Sequence, residues 1–183
     1  MSQPRLPDPA KLVIGVFTAD RALLAWVVRR LGERFGPLDI VSPWLAFDQS
    51  DYYAAEMGAP LHRRLMAFKS LVDPGRLAAI KTTTNALEAD LIHEGRRRVN
   101  IDPGILTCER FVLATGKNYS HRIYLAQGIW ADLTLIYRQG RFEPLPWTYP
   151  DYASDPIRSL LETIREKYRR DLRTAAPDLE ENR

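Results

Sequence analysis

The sequence predicts an α/β domain of the mixed α+β type, and three features of the 183-residue chain support this fold class. Short apolar runs suited to strands alternate with helical patterns through the first hundred residues. Three runs of alternating polarity follow one another before residue 146, which is typical of an antiparallel meander. A charged helix with a narrow apolar stripe ends the sequence. We expect a disordered segment over 1–10, a single α/β domain over 11–152, and a C-terminal helix and tail over 153–183.

The elements of the first half follow from apolar periodicity and from helix start and stop signals. "KLVIGVFT" predicts a buried strand, and "ADRALLAWVVRRLGERFG" a helix with Asp20 as N-cap and Gly36-Pro37 as its stop. "LDIVSPWLAF" predicts a second strand with Pro43 at an edge or bulge. "RRLMAFKSLV" predicts a third strand, and the segment "DPGRLAAIKTTTNALEADLIHEG" a helix capped by Asp73 and ended by Gly95.

"RRRVNID" predicts a fourth strand and completes the order strand, helix, two strands, helix, strand. That order matches a ferredoxin-like split βαβ core, which we expect the meander to extend. "KTTTN" has none of the glycines of a phosphate loop, so we assign it to the helix surface. The segment 105–115 fits a helix or a strand equally well.

The meander consists of "SHRIYL", "GIWADLTLIY" and "RFEPL", joined by "AQG" and "RQG". A three-residue "AQG" turn pairs Leu125 with Ile129 and Arg122 with Asp132. One face of the hairpin is then a core face, formed by Ile123, Leu125, Ile129, Ala131, Leu133 and Leu135. The other face is polar and carries Arg122, Tyr124, Trp130, Asp132 and Thr134. In the C-terminal helix, the narrow stripe of Leu161, Ile164, Tyr168 and Leu172 favours peripheral docking or a weak dimer contact.

Polar residues crowd the start of this hairpin, in "TGKNYSHR". Two interpretations remain open. Arg122 can form a cross-strand salt bridge with Asp132, while His121 is a hydrogen-bonded histidine at the rim of the core. Alternatively, Lys117, His121 and Arg122 converge on an anion, with His121 also moving protons.

A second candidate segment is "GRRRVNIDPG". In a strand, Arg96 and Arg98 point one way and Arg97 the other. Asn100 and Asp102 would lie at the strand end before a Pro-Gly turn, where Asp102 either caps the turn or acts as a general base. We therefore add Arg98 and Asn100 as ligand-binding candidates and Asp102 as a catalytic one. Tyr53 and Trp147, from the aromatic and acidic segments "FDQSDYYAAEMG" and "LPWTYPDY", could stack a ring.

Composition and motifs exclude several classes of function. Lys plus Arg at 26 against Asp plus Glu at 23 gives a net charge of +3, which is low for a nucleic-acid polycation. One cysteine among 183 residues excludes an internal disulfide and fits a reducing compartment. The opening "MSQPRLPDPAK" has no signal-peptide pattern, no window is apolar enough for a membrane helix, and we expect a cytoplasmic protein. The histidines have no metal-site spacing, and phosphate-loop and dinucleotide motifs are absent.

Four ordered motifs, "FDQSDYYAAEMG", "RRVNIDPG", "SHRIYL" and "LPWTYPDY", resemble a bacterial family known as domain of unknown function number 4416. The resemblance spans roughly residues 11 to 152. It implies a single-domain cytoplasmic bacterial protein and supplies no activity or cofactor.

Two functions from different classes follow from these observations. The first is a site, binding or enzymatic, for an anionic small molecule such as a nucleotide or a phosphorylated metabolite; any cofactor is unknown. The second is an RNA-binding module, since ferredoxin-like sheets can present aromatic and basic residues to single strands. A protein-interaction module that uses the C-terminal helix is a further alternative.

Overall fold

An antiparallel sheet of nine strands forms the centre of the computed structural model, which describes residues 2–47 and 53–180. The strands are β1 Ala10–Thr18, β2 Leu38–Val41, β3 Leu45–Ala46, β4 His62–Val72, β5 Asn100–Leu106, β6 Arg110–Thr115, β7 Arg122–Ala126, β8 Ile129–Arg138 and β9 Arg141–Pro144. The helices are α1 Leu23–Phe35, α2 Ala54–Met57, α3 Leu77–Ala89, α4 Pro150–Ala153 and α5 Asp155–Glu180, and a 3-10 turn, Pro74–Arg76, precedes α3.

The sheet has the order β2-β4-β1-β5-β6-β8-β7, with β3 paired to β4 and β9 paired to β8. Every pairing is antiparallel. The expected mixed α+β class, with a large antiparallel sheet and a C-terminal helix, is therefore confirmed. Strand β1 lies between β4 and β5 and is buried along its whole length, as its apolar sequence predicts. Pro43 lies in the break between β2 and β3.

Helices cover the sheet from both sides. Val27 and Leu31 of α1 and Ile80 and Leu87 of α3 pack on one face, in a core that includes Ile14 of β1. Four residues of α5 pack on the opposite face, against side chains such as Val13 and Leu65: Ile157, Leu161, Ile164 and Tyr168. The peripheral position expected for α5 is therefore wrong, because its narrow stripe is buried in a main core. In the described part of the chain, no helix is long and apolar enough to cross a membrane.

The segment 96–115 differs from the expectation in two ways. Strand β5 begins only at Asn100, so the three arginines precede the strand and do not alternate between its faces. Pro103 and Gly104 lie inside β5 instead of forming a turn after it. The chain turns at 107–109 and returns as β6, so the ambiguous segment 105–115 forms the end of one strand and most of the next. The phenyl ring of Phe111 lies over Gly104, where a Cβ would stand 2.7 Å from its Cζ.

The register of the β7–β8 hairpin is confirmed where Arg122 pairs with Asp132 and Tyr124 with Trp130. The expected pairing of Leu125 with Ile129 is wrong, because Ile129 pairs with Ala126 and the turn is one residue shorter. Gln127 and Gly128 form its two central residues, both with positive φ, and an irregularity at Leu125 preserves the register of the earlier pairs.

The faces assigned to this hairpin are wrong. Ile123 is 71% exposed, whereas Asp132 and Thr134, assigned to the polar face, are buried. The physical reason is the position of β7 at the edge of the sheet, since the core clusters of the described residues include Ile129 of β8 but no residue of β7. A second irregularity, between β6 and β8, also changes which side chains of β8 face the core. Phe111 pairs with Leu135 but the next residue, Val112, pairs with Leu133, so one residue of β8 is skipped.

Candidate functional site

The sheet splits where β5 and β6 diverge. The two strands pair only from Gly104 to Leu106, opposite residues 111–113. Toward one end of the sheet, residues 100–103 of β5 continue to pair with β1, and residues 114–115 of β6 continue to pair with β8. The sheet is therefore continuous at one end and open between these two strands at the other.

Two side chains of α3 occupy the hydrogen-bonding positions that β6 leaves vacant along β5. The backbone N–H of Ile101 donates to Oε1 of Glu88 at 2.8 Å, and the Ile101 carbonyl accepts from Nζ of Lys81 at 2.9 Å. Both side chains are almost fully buried. Because a buried peptide group without a partner is costly, Lys81 and Glu88 stabilise the open form of the sheet. Burial raises the pKa of Glu88, although the Lys81 ammonium opposes the shift.

A cavity of about 450 Å³ occupies the split. Asn100 and Asp102 line it from β5, and Leu113 and Thr115 from β6. Its floor contains buried side chains, Phe17, Arg63 and Tyr152, and its mouth contains the exposed residues Lys117 and Tyr149. The described lining residues include five cations, Arg63, Lys81, Arg97, Lys117 and Arg122, and four carboxylates, Glu88, Asp102, Asp132 and Asp151.

One polar network runs along the β5 side of this cleft. Arg97 donates to both carboxylate oxygens of Glu56, at 2.8 and 2.6 Å, and to Oδ1 of Asn100 at 3.1 Å. Asn100 donates to Asp102 at 2.6 Å, and Lys81 contacts the other oxygen of Asp102 at 3.4 Å. The hydrogen bonds from Arg97 lower the pKa of Glu56, and the bond to Glu56 raises the pKa of Arg97. Asn100 and Asp102 share one side of β5 because they are two residues apart.

A second network lies on the β8 side. The carboxylate of Asp132 is 4% exposed and its Oδ2 accepts from Nε of Arg122 at 2.9 Å and contacts Nε2 of His121 at 3.2 Å. Arg122 also donates to the Lys117 carbonyl at 2.9 Å and to the Tyr149 hydroxyl at 3.2 Å. Burial of Arg122 opposes its charge, but the hydrogen bonds to Asp132 and Tyr149 outweigh burial and raise the pKa of Arg122. The His121 ring stacks on Trp147, with centroids 4.9 Å apart.

The floor of the cleft holds a buried ion pair among aromatic rings. Arg63 is paired with Asp151, and its guanidinium lies over the rings of Phe17, Phe47 and Tyr152 at 4.7 to 5.4 Å from their centroids. Phe17 and Phe47 also stack on each other, with centroids 4.5 Å apart. The floor is therefore a closely packed surface of an ion pair and aromatic rings.

The structure brings five of the eight predicted site residues to the cleft: Tyr53, Asn100, Asp102, Lys117 and Arg122. His121 and Trp147 are not among the described lining residues: His121 contacts Asp132, and its ring stacks on the partly exposed Trp147. Arg98 is directed elsewhere, since it forms a salt bridge with Asp20 at 2.7 Å. The acidic residues Asp48 and Asp51 and the neighbouring Tyr52 lie outside the described residues.

Sequence reasoning missed Arg63, Lys81, Glu88 and Tyr152. The assignment of "KTTTN" to the helix surface is wrong for Lys81 and Thr84, which are both buried. A signal was present, because Lys81 and Glu88 are seven residues apart and lie on the same face of α3 as the buried Leu77, Thr84 and Leu87. A lysine and a glutamate on the apolar face of a helix indicate that both side chains are buried and make polar contacts there.

Together, the fold and the cleft define a mixed α+β domain with a polar, ligand-sized cavity in a split antiparallel sheet. The chain belongs to the family described as Domain of unknown function (DUF4416), whose model matches residues 8–168. Neither curated proteins nor solved structures give a significant match to this chain.

Proposed function

We propose that the chain binds a small anionic molecule, a nucleotide or another phosphorylated metabolite, in the cleft between β5 and β6. The observation that carries the proposal is the presence of Arg97, Lys117 and Arg122 around one cavity of about 450 Å³. That volume falls in the range of small-molecule sites. The proposed ligand places its anionic group near the mouth, beside these three cations.

The positions of the three cations support a common anion site. Lys117 is close enough to Glu56 to lower the pKa of this carboxyl group, which Arg97 also binds. Arg122 in turn donates to the Lys117 carbonyl. Lys117 is therefore linked to both networks, because its charge acts on Glu56 beside Arg97 and its backbone carbonyl accepts from Arg122.

Both arginines have capacity for a ligand. A guanidinium has five N–H groups, and hydrogen bonds to described residues use three on Arg97 and three on Arg122. The remaining N–H groups can donate to phosphate oxygens, and such charge-assisted bonds are among the strongest in proteins. The existing bonds to Glu56 and Asp132 hold each guanidinium in place.

If the ligand also reacts, Asp102 is our proposed general base, because it is the partly exposed carboxylate of the cleft. We assign His121 a positioning role through Asp132. We further propose a ferredoxin-like core, supported by the strand order β2-β4-β1-β5 and by α1 and α3 as its two crossovers. The single cysteine supports our proposal of a cytoplasmic location.

Titration calorimetry with AMP, ribose 5-phosphate and inorganic phosphate tests the proposal. We expect at least one of the three to bind, and Lys117→Ala to weaken that binding about 10-fold. The matched control is Arg98→Ala, which removes one positive charge outside the cleft and should leave affinity unchanged. Equal weakening by both variants would indicate a general charge effect, and the absence of binding to all three compounds would overturn the proposal.

A further inference from the structure

Among the residues that the structure describes, the Tyr152 hydroxyl makes no hydrogen bond within 3.5 Å, although the Arg63 guanidinium over its ring is close enough to interact with it. The side chain is 2% exposed and lines the floor of the cleft. Gly15, in the middle of β1, leaves the space for this hydroxyl, because a Cβ at that position would stand 3.0 Å from the Tyr152 oxygen. A buried hydroxyl without a partner is costly, so its place in a cavity points to a ligand group as its partner.

The hydroxyl is a proton donor at neutral pH. Burial raises the pKa of Tyr152 to about 12, although the nearby Arg63 guanidinium opposes the shift. Asp102 and Asp132 also raise it, which places both carboxylates within electrostatic range of the hydroxyl. The Tyr152 hydroxyl, a donor, and the Asp102 carboxylate, an acceptor, therefore lie near each other, since Asp102 pairs with Gly15 beside that hydroxyl.

The Asp102 carboxylate retains acceptor capacity. One oxygen accepts from Asn100 at 2.6 Å, and the other accepts a longer bond from Nζ of Lys81 at 3.4 Å. A carboxylate offers about four lone-pair sites, so its two oxygens can accept further bonds from a ligand. A ligand hydroxyl both donates and accepts, and so it matches the combination of Tyr152 and Asp102.

The aromatic rings of the floor are poorly suited to stacking a base. Phe17 stacks on Phe47, the edge of Tyr53 meets Phe17 at 4.9 Å, and the Arg63 guanidinium lies over both phenylalanines. These rings are engaged with one another and with Arg63. The inner end of the cleft therefore favours a flexible hydroxylated chain or a sugar over a planar base.

We infer that the cleft recognises a phosphorylated sugar or polyol, with its phosphate at the mouth and its hydroxyl groups bound by Tyr152 and Asp102. This inference rests on the proposed function and narrows its ligand class. Tyr152 is the specificity-determining residue, because its hydroxyl contacts the part of the ligand that distinguishes a sugar phosphate from other phosphates.

Titration calorimetry with a pair of phosphate esters tests the inference. Ribose 5-phosphate and pentyl phosphate have the same number of carbon atoms and the same phosphate group, but only the first has hydroxyl groups. We expect the native protein to bind ribose 5-phosphate about 10-fold more tightly. Equal affinity would overturn the inference and leave the proposed function standing, whereas the failure of both esters, AMP and inorganic phosphate to bind would overturn both.

Tyr152→Phe removes the hydroxyl and keeps the ring. We expect the preference for ribose 5-phosphate over pentyl phosphate to fall below about 3-fold, with the melting temperature unchanged or raised, because the hydroxyl makes no protein hydrogen bond within 3.5 Å. The control is Tyr168→Phe, which removes a buried hydroxyl that donates to the Pro9 carbonyl at 2.9 Å. It should lower the melting temperature and leave the preference intact. If Tyr152→Phe behaves like the control, Tyr152 is a structural residue and the inference is wrong.

Discussion

Asp132 determines how the residues at the start of the β7–β8 hairpin are arranged. His121 and Arg122 are neighbours in sequence, and alternation along a strand predicts that they point in opposite directions. Strand β7 begins only at Arg122, so His121 lies in the preceding turn and is free of that alternation. Both side chains therefore reach the same carboxylate oxygen. The salt bridge and the rim histidine that the sequence predicts are parts of one contact.

Replacement of this carboxylate should destabilise the fold. In Asp132→Asn the buried Arg122 guanidinium loses its counter-charge, and such a loss typically costs about 3 kcal/mol. Urea denaturation at pH 7 measures the change. The control is Asp20→Asn, whose partner Arg98 is exposed, and we expect it to cost less than about 1 kcal/mol. Similar costs for the two variants would show that Asp132 is not a buried structural charge.

At the scale of secondary-structure elements, the contact between α3 and β5 is the feature that creates the cleft. Glu88 accepts the Ile101 N–H from a buried position, and burial raises its pKa. An acid whose pKa is higher in the folded state binds protons more readily there than in the unfolded chain. The folded state therefore gains stability as the pH falls through the raised pKa toward 4.5, the ordinary value of the group.

Glu88→Gln removes the negative charge but keeps the hydrogen bond, because the glutamine oxygen can still accept from the Ile101 N–H. At pH 7.5 we expect the variant to be at least as stable as the native protein. Between the raised pKa and pH 4.5, the native protein should gain stability relative to the variant, as measured by urea midpoints at several pH values. Glu94→Gln, at an exposed position, should show no such gain. If the difference in stability between the native protein and Glu88→Gln stays constant across this pH range, the raised pKa does not belong to Glu88.

Helix α5 illustrates how a sequence pattern can mislead about burial. Its charged flanks and narrow stripe favour a peripheral helix, yet Leu161 and Ile164 are completely buried. The flanking charges do not prevent this burial because they find partners; Asp171, for example, accepts from the buried Lys11 of β1. Burial alone would raise the pKa of Asp171, but the bonds from Lys11 and Lys167 lower it. The apolar stripe of the helix is therefore not available as a docking surface.

Shortening an apolar side chain in the stripe of α5 should lower the free energy of unfolding as much as a large-to-small substitution in any other part of the core. We expect Leu161→Ala to lower the free energy of unfolding by about 3 kcal/mol, through lost contacts and the cavity left behind. Ser159→Ala, two residues earlier on the exposed side of the helix, should change it by less than about 0.5 kcal/mol. Guanidinium denaturation followed by circular dichroism measures both. A loss below about 1 kcal/mol for Leu161→Ala would restore the peripheral assignment.

The sequence predicts the elements of this fold better than it predicts the site. The apolar run of β1 and the pairing of Arg122 with Asp132 are local patterns that the structure reproduces, and Asp73 caps the 3-10 turn that precedes α3. The split between β5 and β6 depends on where two strands stop pairing, which no local pattern reports. Lys81 and Tyr152 meet at the cleft from distant elements, so their roles follow only from tertiary contacts.

On the scale of the whole molecule, helices on both faces of the sheet bear on the RNA-binding alternative. Ferredoxin-like RNA-binding domains stack bases on aromatic residues of an open sheet face. Here α1 and α3 pack on one face, and α5 on the other. The aromatic rings left at the surface lie near β7 and the cleft mouth, among them Tyr119, Tyr124 and Tyr149. The net charge of +3 supplies little general attraction for phosphates.

We therefore expect no appreciable binding of a fluorescein-labelled ten-nucleotide single-stranded RNA at about 0.15 M salt, as measured by fluorescence anisotropy. Release of counterions would make any binding to a basic surface fall steeply with salt, by about 0.7 in log affinity per log unit of salt for each phosphate contacted. Micromolar affinity with such a slope, reduced by Tyr124→Ala, would favour the RNA-binding module and the β7 edge as its site. RNA binding that ribose 5-phosphate displaces would instead place the 5′ end of the RNA in the cleft, where Arg97, Lys117 and Arg122 are the expected contacts for its terminal phosphate.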